Sequence, residues 1–188
     1  NWQACSTSDG DTSYVYTTNS NWRRDLYNLP NPGLTGTINS VTVYMEARAN
    51  CVPIQGSAWT VIRTRGTNYY GTAITLTGSY TTYFTTYTTG PWTGGGAWTW
   101  NDINNLQAGV RLMRPDPSDS ASESRCTHVW VVVDYTPPGI TVNPTSGLVT
   151  TESGGTATFT IVLDTQPTAN VTIGLSSSDT TEGTVSPA

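Results

Sequence analysis

The side chains best suited to contact a ligand are tryptophan and tyrosine. The chain has 7 Trp and 10 Tyr but only 2 Phe, and indole and phenol rings join a flat apolar face to a polar group. That combination suits stacking on sugars or packing at an interface that is only partly shielded from water. Core packing explains most of these rings. The candidates for an exposed sugar-stacking surface are Tyr69, Tyr70, Tyr83, Tyr87 and Trp92.

Catalytic chemistry is not indicated by the sequence. A hydrolase needs a base beside its nucleophile, and the one histidine, His128, lies inside an apolar strand-like run that is typical of a structural residue. Nucleophile elbows, zinc-protease helices and phosphate loops are missing from the sequence. The few acidic residues lie mostly in turns, although paired carboxylates from distant strands leave no motif. We expect a protein that is not an enzyme and has no cofactor.

The acidic turn "SDGD" is a candidate for a structural metal site. Asp9 and Asp11 supply the carboxylate oxygens that calcium prefers. The same residue types also close an ordinary turn by bonding to their own backbone. Either a calcium ion or a plain turn therefore explains the pair, and the turn is the simpler explanation.

The 3 cysteines predict one disulfide and one remaining thiol. Cys5, Cys51 and Cys126 are too scattered for a zinc site, which uses paired ligands a few residues apart. A Thr-rich, Lys-free, acidic chain fits an oxidising compartment. Cys51 ends one strand-like run and Cys126 starts another, which favours their pairing; Cys5 with Cys126 is the rival.

Charge and composition exclude several classes of partner. The net charge is -5 and the pI is about 4.5, so no basic stripe exists to bind nucleic acid. No apolar run approaches the ~20 residues that span a membrane. The chain begins Asn1-Trp2, as though a leader had been removed. We expect a secreted, extracellular or cell-surface protein.

Alternating runs predict an all-β, jelly-roll-like antiparallel sandwich with one short helix. All 8 basic residues are arginine and 36 residues are threonine, a mixture that favours strands over helices. Strand-like runs include "INSVTVYMEARA", "SAWTVIRTRG" with a turn at Gly66, "TAITLTGSYTTYFTTYTT", "AGVRLMRP" and "CTHVWVVVDYT". The last places Val129, Val131, Val133 and Tyr135 on one face, with His128, Trp130 and Asp134 on the other. Thr99 and Asp102 fit a capping box, with Ile103 and Leu106 inward and Gly109 as the stop.

A second unit is predicted to begin after two consecutive prolines. "DYTPPGITVNP" marks the boundary, because proline cannot extend a central strand, which gives domains 1–137 and 138–188. The predicted strands of the second are "ITVNP", "GLVTT", "TATFTIVL" and "NVTIGLSSS". Asn170 heads the one N-linked glycosylation sequon.

Residues 140–188 resemble the first half of the Calx-beta and related immunoglobulin-like repeats of large bacterial surface proteins. The blocks "TTESGGTATFTIVL" and "VTIGLSSSD" carry the resemblance. It implies an incomplete immunoglobulin-like sandwich, with Glu152, Asp179 and Glu182 as calcium-ligand candidates. The chain lacks the Asp-Tyr and the later acidic loop of the calcium-binding members.

Residues 1–137 resemble uncharacterised jelly-roll-like domains of extracellular bacterial and phage-associated proteins. The segments "DGDTSYVYT", "RDLYNL", "WTWNDINNLQAGVRL" and "CTHVWVVVDYT" carry this second resemblance. It implies a fold and no activity.

The second unit is too short to build an immunoglobulin-type core. From Pro138 to Ala188 there are 51 residues, against ~100 in a complete domain. Apolar side chains would stay wet, namely Phe159, Ile161, Val171, Ile173 and Leu175. Three explanations remain open: the chain is a piece of a longer one, the segment folds back on the first domain, or a neighbouring molecule supplies strands.

Completion by a neighbouring copy gives the functional hypothesis. The segment "NWQACSTSDGDTSYVYTT", with Tyr14 and Tyr16, is the candidate donor. Head-to-tail contacts that do not close generate a filament. We expect a structural subunit of an extracellular filament or surface fibre that binds copies of itself; the alternative is a carbohydrate-binding or adhesin module of a larger secreted surface protein.

Overall fold

The computed structural model describes residues 8–50, 56–116, 118–167 and 169–186. The chain divides into two compact units, Asn1–Leu34 with Ile38–Tyr135, and Thr35–Thr37 with Thr136–Ala188. The described residues form antiparallel sheets and one short helix. The predicted all-β sandwich class is therefore confirmed.

The first unit is built from two sheets. Its strands pair as if one long β-hairpin had been folded over on itself. Its elements are β1 (Val15–Thr17), β2 (Arg23–Asn28), β3 (Thr37–Ala49), β4 (Ser57–Thr64), β5 (Thr67–Tyr70), β6 (Ile74–Thr75), β7 (Thr81–Tyr87), α1 (Trp100–Asn104), β8 (Gln107–Met113) and β9 (Ser124–Thr136). One sheet has the order β1-β9-β3-β7 and the other β2-β8-β4-β5, with β6 beside β4. Strand β1 thus pairs with β9, β2 with β8, β3 with β7 and β4 with β5, which is the pairing of a jelly roll.

Period-two alternation places the core between the two sheets. The inward residues of β3 are completely buried, namely Val41, Val43, Met45 and Ala47, while Tyr44, Glu46 and Arg48 stay partly exposed on the other face. The inward residues of β9 pack against the same core, namely Val129, Val131, Val133 and Tyr135. The inward face predicted for β9 is confirmed.

Helix α1 begins at the predicted capping box. The Asp102 backbone N–H donates to Thr99 Oγ1 over 3.2 Å, and the Thr99 backbone N–H donates to Asp102 Oδ2 over 3.1 Å. Ile103 and Leu106 are buried as predicted. The predicted end at Gly109 is wrong, since the helix ends at Asn104.

Gly109 lies instead in the middle of β8, which pairs with β2 and β4 on its two sides. A Cβ at this position would collide with the backbone oxygen of Asp25. Close approach of β2 to β8, rather than a helix stop, therefore explains this glycine.

The predicted turn at Gly66 is confirmed. Arg65 and Gly66 have φ values of 49° and 75° and form the two-residue connection between the paired Thr64 and Thr67. A positive φ at both central positions is the requirement of the tight hairpin turn that suits the right-handed twist of strands. The turn brings Arg65 to the carboxylate of Asp102 at the start of α1.

One hydrogen bond inside the core joins the two sheets of the first unit. The hydroxyl of Thr60 on β4 donates to the hydroxyl of Thr85 on β7 over 2.7 Å. Gly71 leaves room for this pair, because a Cβ there would collide with both hydroxyls. These two hydroxyls thus satisfy each other.

The second unit has only two strands in its described residues. They are β10 (Ile140–Asn143) and β11 (Thr160–Leu163), antiparallel, with Ile140 opposite Leu163. The predicted strands "GLVTT" and "NVTIGLSSS" are wrong: these segments lack a ladder of paired neighbours, apart from a bridge between Thr151 and Gly155. A strand forms only where another backbone accepts its hydrogen bonds.

Candidate functional site

The two-stranded sheet of the second unit has one apolar face, which we call the second-unit face. Cross-strand pairing places Ile140 opposite Leu163 and Val142 opposite Ile161 on this side. Ile140 is 51% exposed and Val142 is 37% exposed. Between residues 136 and 186, no described side chain is buried. On the second-unit face Ile161 and Leu163 are half-buried and Ile140 and Val142 are exposed, so none of the four side chains is fully covered within the described chain.

The predicted interface residues are all accessible to solvent. Phe159, Val171 and Ile173 are exposed, and Ile161 and Leu175 are half-buried. Of the thirteen exposed large hydrophobic residues in the described chain, eight lie in the second unit. Apolar surface is thus concentrated where the chain has the fewest strands, which is typical of an interaction site.

Tyr14 and Tyr16, predicted as donor residues, lie at an open sheet edge. Strand β1 already pairs with β9, with Val15 opposite Cys126, and it is the end strand of its sheet. The two tyrosine rings meet edge to face with centroids 5.8 Å apart, and Tyr16 is 59% exposed. The first seven residues of the predicted donor segment lie outside the described residues.

Asp11 is held in a network of ion pairs. Its carboxylate accepts hydrogen bonds from Arg125 over 2.6 Å, from Arg48 over 2.9 Å and from Tyr80 over 2.9 Å. The hydrogen bond from Arg125 is the main reason that the pKa of Asp11 lies below its ordinary value. Asp11 therefore serves to tie β3 and β9 to the loop before β1.

Two of the other calcium candidates, Asp9 and Asp179, accept hydrogen bonds within turns, and Asp9 also accepts from the Thr127 hydroxyl over 3.1 Å. Asp9 accepts from the backbone N–H and hydroxyl of Ser13, and Asp179 accepts from the backbone N–H of Thr181. Glu152 is exposed. The described residues contain no group of three or more side chains placed to hold a metal ion. The first two candidates have the bonding pattern of turns.

The predicted sugar-stacking residues differ in accessibility. Tyr83 packs against one half of the core, and Tyr69, Tyr87 and Trp92 pack against the other. Tyr70 is 40% exposed. Among these five residues, Tyr70 therefore offers the most open ring.

The rings of Tyr87 and Trp92 are occupied by contacts within the first unit and are not open to a sugar. Burial raises the pKa of the Tyr87 phenol to about 12. The Arg65 guanidinium lies 3.6 Å from the centre of the Trp92 ring, and Trp98 meets Trp92 edge to face with centroids 5.3 Å apart. These rings anchor the end of the sandwich near α1.

A row of aromatic side chains crosses the outer face of the four-stranded sheet. The Tyr44 and Trp130 rings are parallel, with centroids 4.9 Å apart. Phe84 lies 5.5 Å from Tyr44 and is 61% exposed, and His128 stacks on Trp130 at 4.4 Å. We call these four residues the aromatic row. Burial lowers the pKa of His128 below 6.5.

Sequence reasoning missed the aromatic row. Alternation correctly placed His128 and Trp130 on the outward face of their strand. It did not reveal that β9, β3 and β7 are neighbours. Lateral strand order, which brings the rings together, is set by pairings between residues far apart in sequence.

The predicted disulfide and glycosylation sites stay predictions. Cys126 is completely buried in the core, and both of its candidate partners, Cys5 and Cys51, lie outside the described residues. Asn170 is exposed, as an acceptor for a glycan must be.

Comparisons with known proteins identify no relative. No protein-family model matches the chain, and neither a curated protein nor a solved structure does. In the described part of the chain, no helix has the length and apolarity needed to span a bilayer.

Proposed function

We propose that this protein is a structural subunit of an extracellular filament or surface fibre, which assembles head to tail by strand complementation through its second unit. The observation that carries this proposal is the incompletely covered second-unit face. Its apolar side chains are Ile140, Val142, Ile161 and Leu163, and no described residue of that unit is buried.

Physical chemistry favours the addition of strands to this face. An isolated two-stranded sheet is marginally stable in water. Its outer edges present backbone N–H and C=O groups that pair with an added strand. Covering the apolar side chains contributes roughly 25 cal/mol for each Å² removed from water. A β-strand partner supplies both kinds of stabilisation together.

A second copy of the chain offers a suitable strand. The edge strand β1 has an open side, and its Tyr16 side chain is exposed. Because β1 and the second-unit face are different surfaces of one chain, their contact is heterologous. Repetition of such a contact builds a filament unless its rotation closes a ring.

Assembly is tested by sedimentation velocity and negative-stain microscopy over a wide range of protein concentration. The wild-type chain should form rods whose length increases with concentration. Ile161→Asp places a charge on the second-unit face and should leave monomers. Val162→Asp, which changes the next residue on the opposite face of β11, is the matched control and should still assemble.

Dispersed wild-type monomers at every concentration would rule out the filament. Equal loss of assembly in the two variants would assign the effect to general destabilisation of β11 rather than to the apolar face. Removal of the Tyr16 side chain by Tyr16→Ala should weaken assembly if β1 is the contacting strand.

The aromatic row favours a second candidate function, a carbohydrate-binding or adhesin module. The Phe84 ring is tilted by 39° from Tyr44 and is 61% exposed, which leaves ring surface for a sugar. Phe84→Ala should abolish the signals of neutral sugars on a glycan array, whereas Thr82→Ala on the same face of β7 should preserve them. An array without signal for the wild type would exclude this function.

A further inference from the structure

Arginine and aromatic side chains form a cluster on the outer face of the five-stranded sheet. The Arg111 guanidinium carbon lies 4.6 Å from the ring centre of Trp22, 5.2 Å from that of Trp59 and 4.9 Å from that of Tyr70. We call these four residues the guanidinium cage. Arg24 Nη1 donates to the Tyr70 hydroxyl over 2.7 Å and so joins the same cluster.

Strand pairing explains why these residues meet. Arg111 on β8 lies opposite Arg24 on β2 and opposite Trp59 on β4. Tyr70 on β5 lies opposite Val61, two residues along β4 from Trp59. Period-two alternation turns all of these side chains to the outer face of one sheet.

The arginines on this face form no ion pair with a carboxylate of the described chain. The ion pairs of the described residues use Arg48, Arg65 and Arg125. On the outer face, Arg24, Arg63 and Arg111 take part in no ion pair of the described chain. Arg24 and Arg111 lie directly opposite each other, where like charges repel. An anion bound beside them relieves that repulsion.

Cationic side chains lie at two ends of this face. Between them Gly109 contributes no side chain, and the Val61 side chain is completely covered by its neighbours. At the far end, Arg63 lies opposite Gln107 and Asn68, about 13 Å along β4 from Trp59. Arg63 and Gln107 also line a cavity of about 230 Å³, together with the ion-paired Arg65 and Asp102. A long ligand that follows β4 would therefore meet Arg111 and Arg24 at one end and Arg63 at the other.

We propose that this face binds an acidic polysaccharide whose sugar units carry carboxylates. The aromatic rings hold the Arg111 guanidinium in place, so that its N–H groups bond a carboxylate with little loss of side-chain freedom. The exposed Tyr70 ring and the flanking indoles offer flat apolar surface to the sugar. The site belongs to the first unit, and it rests neither on assembly through the second unit nor on the aromatic row.

The charge of the chain favours a carboxylate polymer over a nucleic acid. Nucleic acid carries a charge on every phosphate, and affinity for it depends on many cationic contacts. The whole chain has a net charge of -5, and this face supplies three arginines. Three arginines are few for a polyphosphate backbone, whereas each guanidinium can bond one sugar carboxylate through two N–H groups.

The experiment is calorimetric titration of the full chain with polygalacturonate and with the same polymer after methyl esterification. The free acid should bind and the ester should not, because only the carboxylate is changed. Arg111→Gln and Trp59→Ala should each weaken binding roughly tenfold or more. Arg111→Lys keeps the charge but loses the planar fork, and it should weaken binding by a similar factor.

Arg23→Gln is the matched control. It removes the same charge from an exposed residue of β2 that lies opposite Leu112, on the other side of the strand from Arg24, and it should change affinity less than twofold. Thermal unfolding of each variant checks that the fold is intact. A folded Tyr70→Phe variant, which loses only the hydroxyl bonded to Arg24, gives a milder second measure.

Four results would overturn the proposal. Absence of binding to the free acid, or equal binding of the acid and the ester, would remove the carboxylate from the interaction. Equal losses of affinity in Arg23→Gln and Arg111→Gln would show that binding depends on overall positive charge rather than on this site. Tighter binding of single-stranded oligothymidylate than of the uronate polymer would assign the face to nucleic acid. Each result leaves the assembly experiment unaffected.

Discussion

At Asp102 four hydrogen bonds converge on one carboxylate. Arg65 donates through Nε and Nη2 over 2.7 and 3.0 Å, and Thr99 donates through its backbone N–H and its hydroxyl. The Asp102 side chain is 3% exposed. The Arg65 hydrogen bond is the main cause that lowers the pKa of Asp102 below 3.8. One residue thus joins the turn after β4 to the start of α1.

Replacement of the Asp102 carboxylate should make the free energy of unfolding of the first unit less dependent on pH in the acid range. Since the folded pKa is lowered, the stabilisation is complete above the ordinary pKa of 3.8 and is lost as pH falls through the lowered value. Asp102→Asn should reduce the free energy of unfolding at pH 7 by about 1–3 kcal/mol. Urea unfolding from pH 7 to pH 2 should show the difference shrinking below about pH 4.

The control for this measurement is Asp134→Asn, which removes an equal charge from an exposed position on β9. It should change stability by less than about 0.5 kcal/mol. A constant difference between wild type and Asp102→Asn down to the lowest pH would show that the Asp102 charge is not involved.

Tyr87 carries a buried hydroxyl that has no hydrogen-bond partner among the described residues. Tyr87→Phe removes this unsatisfied group, so it should raise the free energy of unfolding by about 1 kcal/mol. Tyr83→Phe is the comparison, because the Tyr83 hydroxyl accepts from the Thr77 backbone N–H over 3.3 Å. Chemical unfolding that shows Tyr87→Phe less stable than wild type would contradict the assignment.

Alkaline titration gives a separate test of the same residue. The pKa of Tyr87 is raised from 10 to about 12 by burial. Its contribution to stability is therefore complete below pH 10 and is lost as pH rises towards 12, where the unfolded chain ionises first. Tyr87→Phe should retain more of its stability over that range than the wild type does.

Among the elements, β8 depends on the absence of a side chain at Gly109. A methyl group there would collide with the backbone of β2, so Gly109→Ala should lower the free energy of unfolding by about 1–3 kcal/mol or more. Gly174→Ala is the control, because an added Cβ meets nothing within 4 Å. Thermal unfolding with both variants equally stable would show that β2 moves aside without cost.

Local sequence signals predicted the individual strands and the helix better than they predicted which strands lie side by side. The inward faces of β3 and β9 were predictable because burial on one face imposes a period of two, and the Thr99 capping box is a four-residue pattern. The strand order was not predictable, since it depends on pairings such as Val15 with Cys126. The aromatic row and the guanidinium cage both arise from that order.

Residue type alone also failed to separate packed rings from open ones. Tyr83 and Tyr87 alternate inward on β7 while Phe84 between them points outward, which is the reverse of what polarity favours. The phenol rings were expected at the surface because of their hydroxyls. Their burial follows from the register of β7 against β3.

At the scale of the whole molecule, the two units should differ in protection from hydrogen exchange. Central strands such as β8 and β3 are paired on both sides and should exchange at the rate of global unfolding. Amides of residues 144–159 and 169–186 should exchange rapidly, because the described chain pairs few of them. Mass spectrometry of labelled peptides makes the measurement.

The concentration dependence of that exchange connects it to function. If copies complete each other, protection in residues 140–163 should rise with protein concentration while β8 stays unchanged. The Ile161→Asp variant should show no rise. Full protection of the second unit in dilute monomer would show that it needs no partner.

The hydroxyl pair of Thr60 and Thr85 has a consequence for how the first unit keeps its alignment. Hydrocarbon contacts hold two sheets together but resist sideways slippage weakly, since they have no preferred direction. A 2.7 Å hydrogen bond between hydroxyls from opposite sheets is directional, so it fixes the position of one sheet relative to the other. One layer cannot slide over the other without breaking that bond.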